Sequence, residues 1–243
     1  MNNVVGIKPT VGLTSRSLVI RLTDHQDTVG PIARTVKDAA YLLQAIVGKD
    51  DHDNYTSAIP WSVPPDFVAA CDMSALQGKR IGVSRNYLDG MPPQLAPVHE
   101  AFNAALKVLE EAGATIVDNV DFPAWRLPST ASDTVMEVSF RATLKNYLDQ
   151  LVVNPTGIKT LEDVRALTQN LTVEEYPSRN TAIWDEALSH NFTQTDPEFW
   201  ENLLEQRFLG GPAGILGALT NHSLDAMVSP TRYAAGLPAM VGR

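Results

Sequence analysis

The sequence predicts an α/β domain with a mainly helical block inserted between strands. Three observations carry that expectation. Short apolar runs rich in β-branched residues recur at "VVGIK", "KRIGVS", "ATIVDNV" and "LDAMV". Long segments with apolar residues at helical spacing separate them. One strand–helix–strand succession has the length of a parallel crossover. The chain divides accordingly into an α/β core portion over 1–128, a mainly helical region over 129–222 and a return to core strand over 223–243.

Taken in order, Val4 to Lys8 forms a short strand that Pro9 closes in a turn. "GPIARTVKDAAYLLQAIVG" reads as a helix. Ile32, Val36, Ala39, Ala40, Leu43, Ile46 and Val47 share one face, Pro31 suits the first helical position and Gly48 suits the stop. "KDDHDNYTSAIPWSVPPDF" is a polar, proline-bearing connector over the surface. Then come the strand "KRIGVS", a helix from about Pro97 to Ala112 and the strand "ATIVDNV". Val98, Phe102, Ala105, Leu106 and Leu109 make that helix amphipathic, and Gly113 ends it. Ser129 to His222 is mainly helical, with breaks near Pro155, Pro177 and Pro197, and "LDAMVSPT" is a further strand.

Composition narrows the function classes. With 44% hydrophobic and 19% charged residues the chain has the make-up of a globular domain. A net charge of −9, with Lys and Arg scattered, argues against a nucleic-acid partner, because phosphate binding needs concentrated positive charge. No apolar run reaches the roughly 20 residues of a membrane helix. Cys71 stands alone, so no internal disulfide forms. Glycosylation sequons at Asn54, Asn170, Asn191 and Asn221 would matter only on export, and a cytoplasmic location is expected.

No local cluster makes a complete active site. Asp24, His25 and Asp27 in "LTDHQDTVG" could orient a general base or hold a metal, since residues two apart on a strand share a face. No further ligand follows at a diagnostic spacing, and a structural role is the simpler reading. "KDDHDN", Asp50 to Asn54, lacks the Gly and closing Glu of a calcium loop and reads as a solvated acidic loop. Gly211, Gly214 and Gly217 in "GGPAGILG" echo a dinucleotide fingerprint, but the helical pattern of "FWENLLEQRFL" before them makes a helix junction. Lys8, Ser15 and Ser17 offer Ser and Lys without an oxyanion loop. Cys71 reads as a small buried apolar residue. Phe140, Tyr147, Trp184 and Phe192 could line a pocket, although core packing is the default for aromatics at such spacing.

"NNVVGIKPTVGLTSRS", "DHQDTVGPIARTVKDAAYLLQAI", "YTSAI" and "LQGKRIGVSRNYL" together resemble the amidase signature family, its fungal and bacterial amidases in particular. The likeness returns at "HSLDAMVSPTRYAAGLPAMVG". It implies hydrolysis of a small-molecule carboxamide, with no metal or organic cofactor, on a mixed sheet flanked by helices. It also implies that the helical middle and variable loops set substrate specificity. The family's catalytic set is a Lys, a bridging Ser on a cis peptide and a nucleophilic Ser, with glycine-rich amides holding the oxyanion.

Carried over position by position, that set falls before "NNVVGIKPT", so the resemblance implies an internal portion with no catalytic residue in this chain. Lys8 matches the "GIKPT" lysine, Ser15 and Ser17 match positions after the nucleophile, and Arg21 stands where many relatives carry Pro. Further core strands are expected beyond Arg243. On this view the chain is catalytically inactive alone, and Val4, Val5 and Ile7 form a core strand whose neighbours lie outside the chain. Uncovered apolar surface would then favour self-association, or a role as an interaction module through exposed sheet edges. The β-α-β unit from Lys79 to Val120 is the part expected to hold together.

Overall fold

A computed structural model describes residues 3–86, 92–230 and 236–243. Two compact units emerge. The first comprises Met1–Ser15, Thr28–Leu127 and Arg207–Arg243, and the second Arg16–Asp27 and Pro128–Gln206.

The first unit is built on a parallel sheet. Its strands are β3 (Arg80–Val83), β4 (Thr115–Val117) and β5 (Ala226–Val228), in the spatial order β4-β3-β5. Ile81 stands opposite both Ile116 and Ala226, so the crossover expected from the sequence is present. Central β3 carries Ile81 and Val83 into the core, Val83 completely. Gly82 leaves room there for Leu224: a Cβ would meet the end of that side chain at 2.4 Å unless it moved. The crossover helix α2 spans Ala96–Glu111 and buries Leu106. It stops at Gly113, whose φ of +95° favours a residue without Cβ. Val120, Phe122 and Ala218 form the core beside the sheet, with Val117, Leu224 and Met227 packed against them. The short helix α7 (Ile215–Asn221) leads into β5.

The start of the chain departs from the sequence reading. β1 (Val5–Gly6) pairs antiparallel with β2 (Ile32–Ala33). The expectation that this strand finds its neighbours only outside the chain is therefore corrected, and Val4 is half exposed. Ile32 lies in β2 and not on a helix. Helix α1 runs Val36–Ile46, capped by Thr35, whose Oγ1 accepts from the Asp38 amide. The fixed φ of Pro31 suits extended backbone as well as a first helical turn, and the Thr35 cap settles the start. Only Ala39, Ala40 and Leu43 of the proposed face are buried, while Val36 and Ile46 stay exposed.

The second unit is helical. α3 (Ala131–Asp149), α4 (Leu161–Asn170), α5 (Ala182–Ser189) and most of α6 (Pro197–Gly210) enclose two apolar clusters. Val135, Val138, Phe192, Phe199 and Leu203 make one. Leu144, Leu148, Leu161 and Ala187 make the other. α4 opens with a capping box, Thr160 accepting from the Asp163 amide and Asp163 from the Thr160 amide. Residues 16–27 are tied together by buried Arg16 and join the helices of this unit through Gln26. The Arg16 guanidinium donates to the carbonyls of Asp24 (2.9 Å) and Asp27 (3.3 Å), and Gln26 donates to Gln206 at 3.1 Å. A last helix, α8 (Gly236–Met240), lies in the first unit. Asn2, Tyr87, Leu88 and residues 231–235 of the quoted motifs lie outside the described residues.

Candidate functional site

The candidate site is a cavity of about 550 Å³ inside the helical unit. Two helices supply its walls because their periodicity brings spaced residues to one side. Asp133, Met136, Glu137 and Phe140 follow one stripe of α3, and Ile183, Trp184 and Ala187 follow one stripe of α5. Leu22, from the 16–27 segment, adds an apolar side chain. His190 closes the C-terminal end of α5, with its backbone already extended.

The polar centre of the cavity is a partly buried pair. His190 Nε2 lies 2.8 Å from Glu137 Oε2, and the two side chains are 20% and 15% exposed. Arg141 fixes the chain there by donating to the carbonyls of His190 (2.9 Å) and Phe192 (3.4 Å). Phe192 meets the imidazole edge-on at 5.3 Å between ring centroids. A carboxylate that holds an imidazole fixes its orientation. Among the described lining residues there is no Ser, Cys or Lys for it to activate; the hydroxyls present are those of Thr130 and Thr134. The cavity is thus shaped to bind a ligand and has no strong nucleophile of its own.

The residues singled out in the sequence go elsewhere. Asp24, His25 and Asp27 lie in a turn rather than a strand. Asp27 Oδ2 accepts from the Leu22 and Thr23 amides, and His25 packs against Phe199. No group of His, Cys, Asp and Glu among the described residues could hold a metal. The "KDDHDN" loop is more ordered than a solvated acidic run. Asp50 accepts from the Ser15 hydroxyl and the His52 amide, while buried Asp53 caps the short helix Asn54–Ala58. The Lys8 ammonium donates to the Arg243 carbonyl at 2.9 Å. Cys71 is exposed, which corrects its reading as a buried residue. The glycines of "GGPAGILG" form the junction between α6 and α7. Arg21 pairs with Asp24 at 3.0 Å with its side chain 22% exposed. All four aromatics pack in or against the core clusters, and Phe140 and Trp184 also line the cavity.

Sequence reasoning missed the His190–Glu137 pair because 53 residues separate its members. It also missed a network at the carboxyl ends of β3 and β4, where ligands of parallel sheets often bind. There Arg85 forks onto Asp118 (2.7 and 3.0 Å), and Asp121 accepts from Asn86 and Arg126. Hydrogen bonding from Arg85 holds the Asp118 carboxyl below its ordinary range, and the Asn86 and Arg126 bonds do the same for Asp121. These carboxylates are already satisfied by the protein, so the network braces the sheet.

The Amidase family model matches residues 1–239. The chain belongs to the amidase family. A putative amidase of Arthroderma benhamiae is 49% identical over 99% of this chain and 41% of its own length. A putative amidase of Schizosaccharomyces pombe is 37% identical over 67% of this chain and 30% of its own length. Among solved structures, a peptide amidase in complex with the competitive inhibitor chymostatin is 33% identical, with a TM-score of 0.83 over 98% of this chain and 50% of that one. The native peptide amidase of Stenotrophomonas maltophilia gives a TM-score of 0.80 at 33% identity, over 98% of this chain and 50% of that one. The chain therefore spans about half the length of these solved amidases. The amidase fold expected from the quoted motifs, a sheet flanked by helices, is the fold found.

Proposed function

We propose that this chain acts in the hydrolysis of a carboxamide C–N bond, with the cavity of the helical unit receiving the non-reacting part of the substrate. The observation that carries the reading is the match to a peptide amidase across nearly the whole chain, at a TM-score of 0.83. We assign no catalytic nucleophile to the described residues. The Ser15 hydroxyl is directed at a carboxylate that accepts its hydrogen bond, and Lys8 reaches a main-chain carbonyl. The Asp50 carboxyl is held below its ordinary range, which makes it a poor base for activating Ser15. The role is then that of scaffold and substrate-selecting portion.

The test is a chimaera in which residues 1–239 replace the matching segment of the Arthroderma benhamiae relative, assayed for ammonia release from a panel of carboxamides. The reading expects hydrolysis by the chimaera and none by the 243-residue chain alone. A folded chimaera that releases no ammonia, from a parent that does, would overturn it. So would release by the chain alone that Ser15→Ala abolishes.

A second reading rests on exposed apolar side chains of the first unit. Ile32 is 70% exposed, Val36 59% and Tyr41 56%, on β2 and α1, which pack together. Exposed apolar side chains of this kind suit association with a complementary amidase segment. Mixing the chain with the remaining portion of the Arthroderma benhamiae relative should give a stoichiometric complex on size exclusion, and Ile32→Lys with Tyr41→Glu should dissolve it.

A further inference from the structure

We propose that the cavity between α3 and α5 selects a ligand with an apolar, aromatic or branched body and a cationic ammonium head. The proposal deepens the substrate reading above and rests on it for its link to catalysis, but the binding preference is testable without turnover. The volume of about 550 Å³ lies within the usual range for small-molecule sites. The walls ask for an apolar body: Leu22, Met136, Phe140, Ile183 and Trp184 present aliphatic and aromatic surface. Two of them stand open to an incoming group, Leu22 at 49% exposed and Ile183 at 69%.

The charged groups decide the head. Asp133, Glu137 and Glu186 line the cavity, against one imidazole, that of His190, and no Lys or Arg among the described lining residues. Glu137 is the carboxylate that the His190 ring meets at 2.8 Å, and with Asp133 and Glu186 also lining the cavity the balance stays negative whichever charge the ring carries. An anionic ligand would meet repulsion from three carboxylates without a compensating cation. A neutral donor would gain a hydrogen bond to a carboxylate but no attraction between opposite charges. An ammonium group gains charge-assisted hydrogen bonds, and the Trp184 and Phe140 rings can add attraction through their faces. The head and body requirements sit in one cavity. A substrate amide bearing an amine beside a hydrophobic side chain meets both.

The test compares three probes of near-equal size on the 243-residue chain by calorimetry: phenethylammonium, phenethyl alcohol and hydrocinnamate. The proposal expects phenethylammonium to bind at least about tenfold more tightly than the alcohol, and hydrocinnamate more weakly still. Glu186→Gln, on an exposed position, and Glu137→Gln should each weaken the ammonium several-fold and leave the alcohol unchanged. Equal binding of ammonium and alcohol, or binding of neither, would overturn the proposal, and because that comparison uses the unaltered chain it does not depend on a variant folding. Ammonium preference with an inactive chimaera would remove the hydrolytic reading alone; an active chimaera with no charge preference would remove this inference alone.

Discussion

Both units tie carboxylates to main chain and guanidinium, but the helical unit also gathers three of them round a cavity. In the sheet unit, Asp225 accepts from the Arg80 amide and the Lys79 ammonium, Asp118 from Arg85, and Asp50 from Ser15. Each of these acids has its carboxyl held below the ordinary range, by the Arg80 amide for Asp225, by Arg85 for Asp118 and by the Ser15 hydroxyl for Asp50. In the helical unit, Asp133, Glu137 and Glu186 surround open apolar space. Carboxylates tied to main chain and guanidinium hold strands in register. Carboxylates gathered round a cavity create a field that an incoming ligand can answer.

The largest expected effect probes the helical side of that contrast. Leu203 is fully buried among Val135 and Phe199, and Leu203→Ala should cost about 2–5 kcal/mol in urea unfolding. A loss below about 1 kcal/mol would mean that the cluster closes the gap and is softer than its packing implies. On the sheet side, Gly82→Val places atoms where Leu224 already stands, and about 1–3 kcal/mol of destabilisation is expected from the same measurement. An unchanged midpoint would show that Leu224 swings away at no cost.

Smaller effects sharpen the comparison. Thr160→Ala removes half of the capping box and should cost about 1 kcal/mol, seen as faster amide exchange in the first turn of α4. Asp118→Asn tests the bracing role through pH. Because the folded state holds this carboxyl below its ordinary value of 3.8, its contribution is present above that value and disappears as pH falls through the lowered one. The variant should therefore melt below the parent at neutral pH and converge with it in acid. A gap that persists in acid would place the effect in packing rather than charge.

The same contrast explains what could be read from the sequence. The β-α-β unit was legible because its signals are local: β-branched runs at "RIGV" and "TIV", an amphipathic α2 and a glycine stop at Gly113. The start of α1 was misplaced because Pro31 fits a strand as well as a helix, and the deciding cap at Thr35 is one hydroxyl. Family membership was legible from long quoted motifs. The cavity was only half visible. Phe140 and Trp184 stood out as aromatics, yet nothing near Glu137 in sequence announces His190, which reaches it only once α3 and α5 pack. The Asn86–Asp121 bond is hidden for the same reason, its partners being 35 residues apart.

We propose that the helical cavity selects substrate while the tied acids of the sheet unit stabilise the fold. The direct measurement is kcat/KM on a carboxamide for the chimaera carrying either Ile183→Trp or Asp118→Asn. Ile183 is 69% exposed, so a larger side chain there can fill the cavity without straining the core. The account predicts that Ile183→Trp lowers kcat/KM by about tenfold or more at an unchanged melting temperature, whereas Asp118→Asn lowers the melting temperature and leaves kcat/KM within about twofold. Full activity with the cavity filled would contradict it.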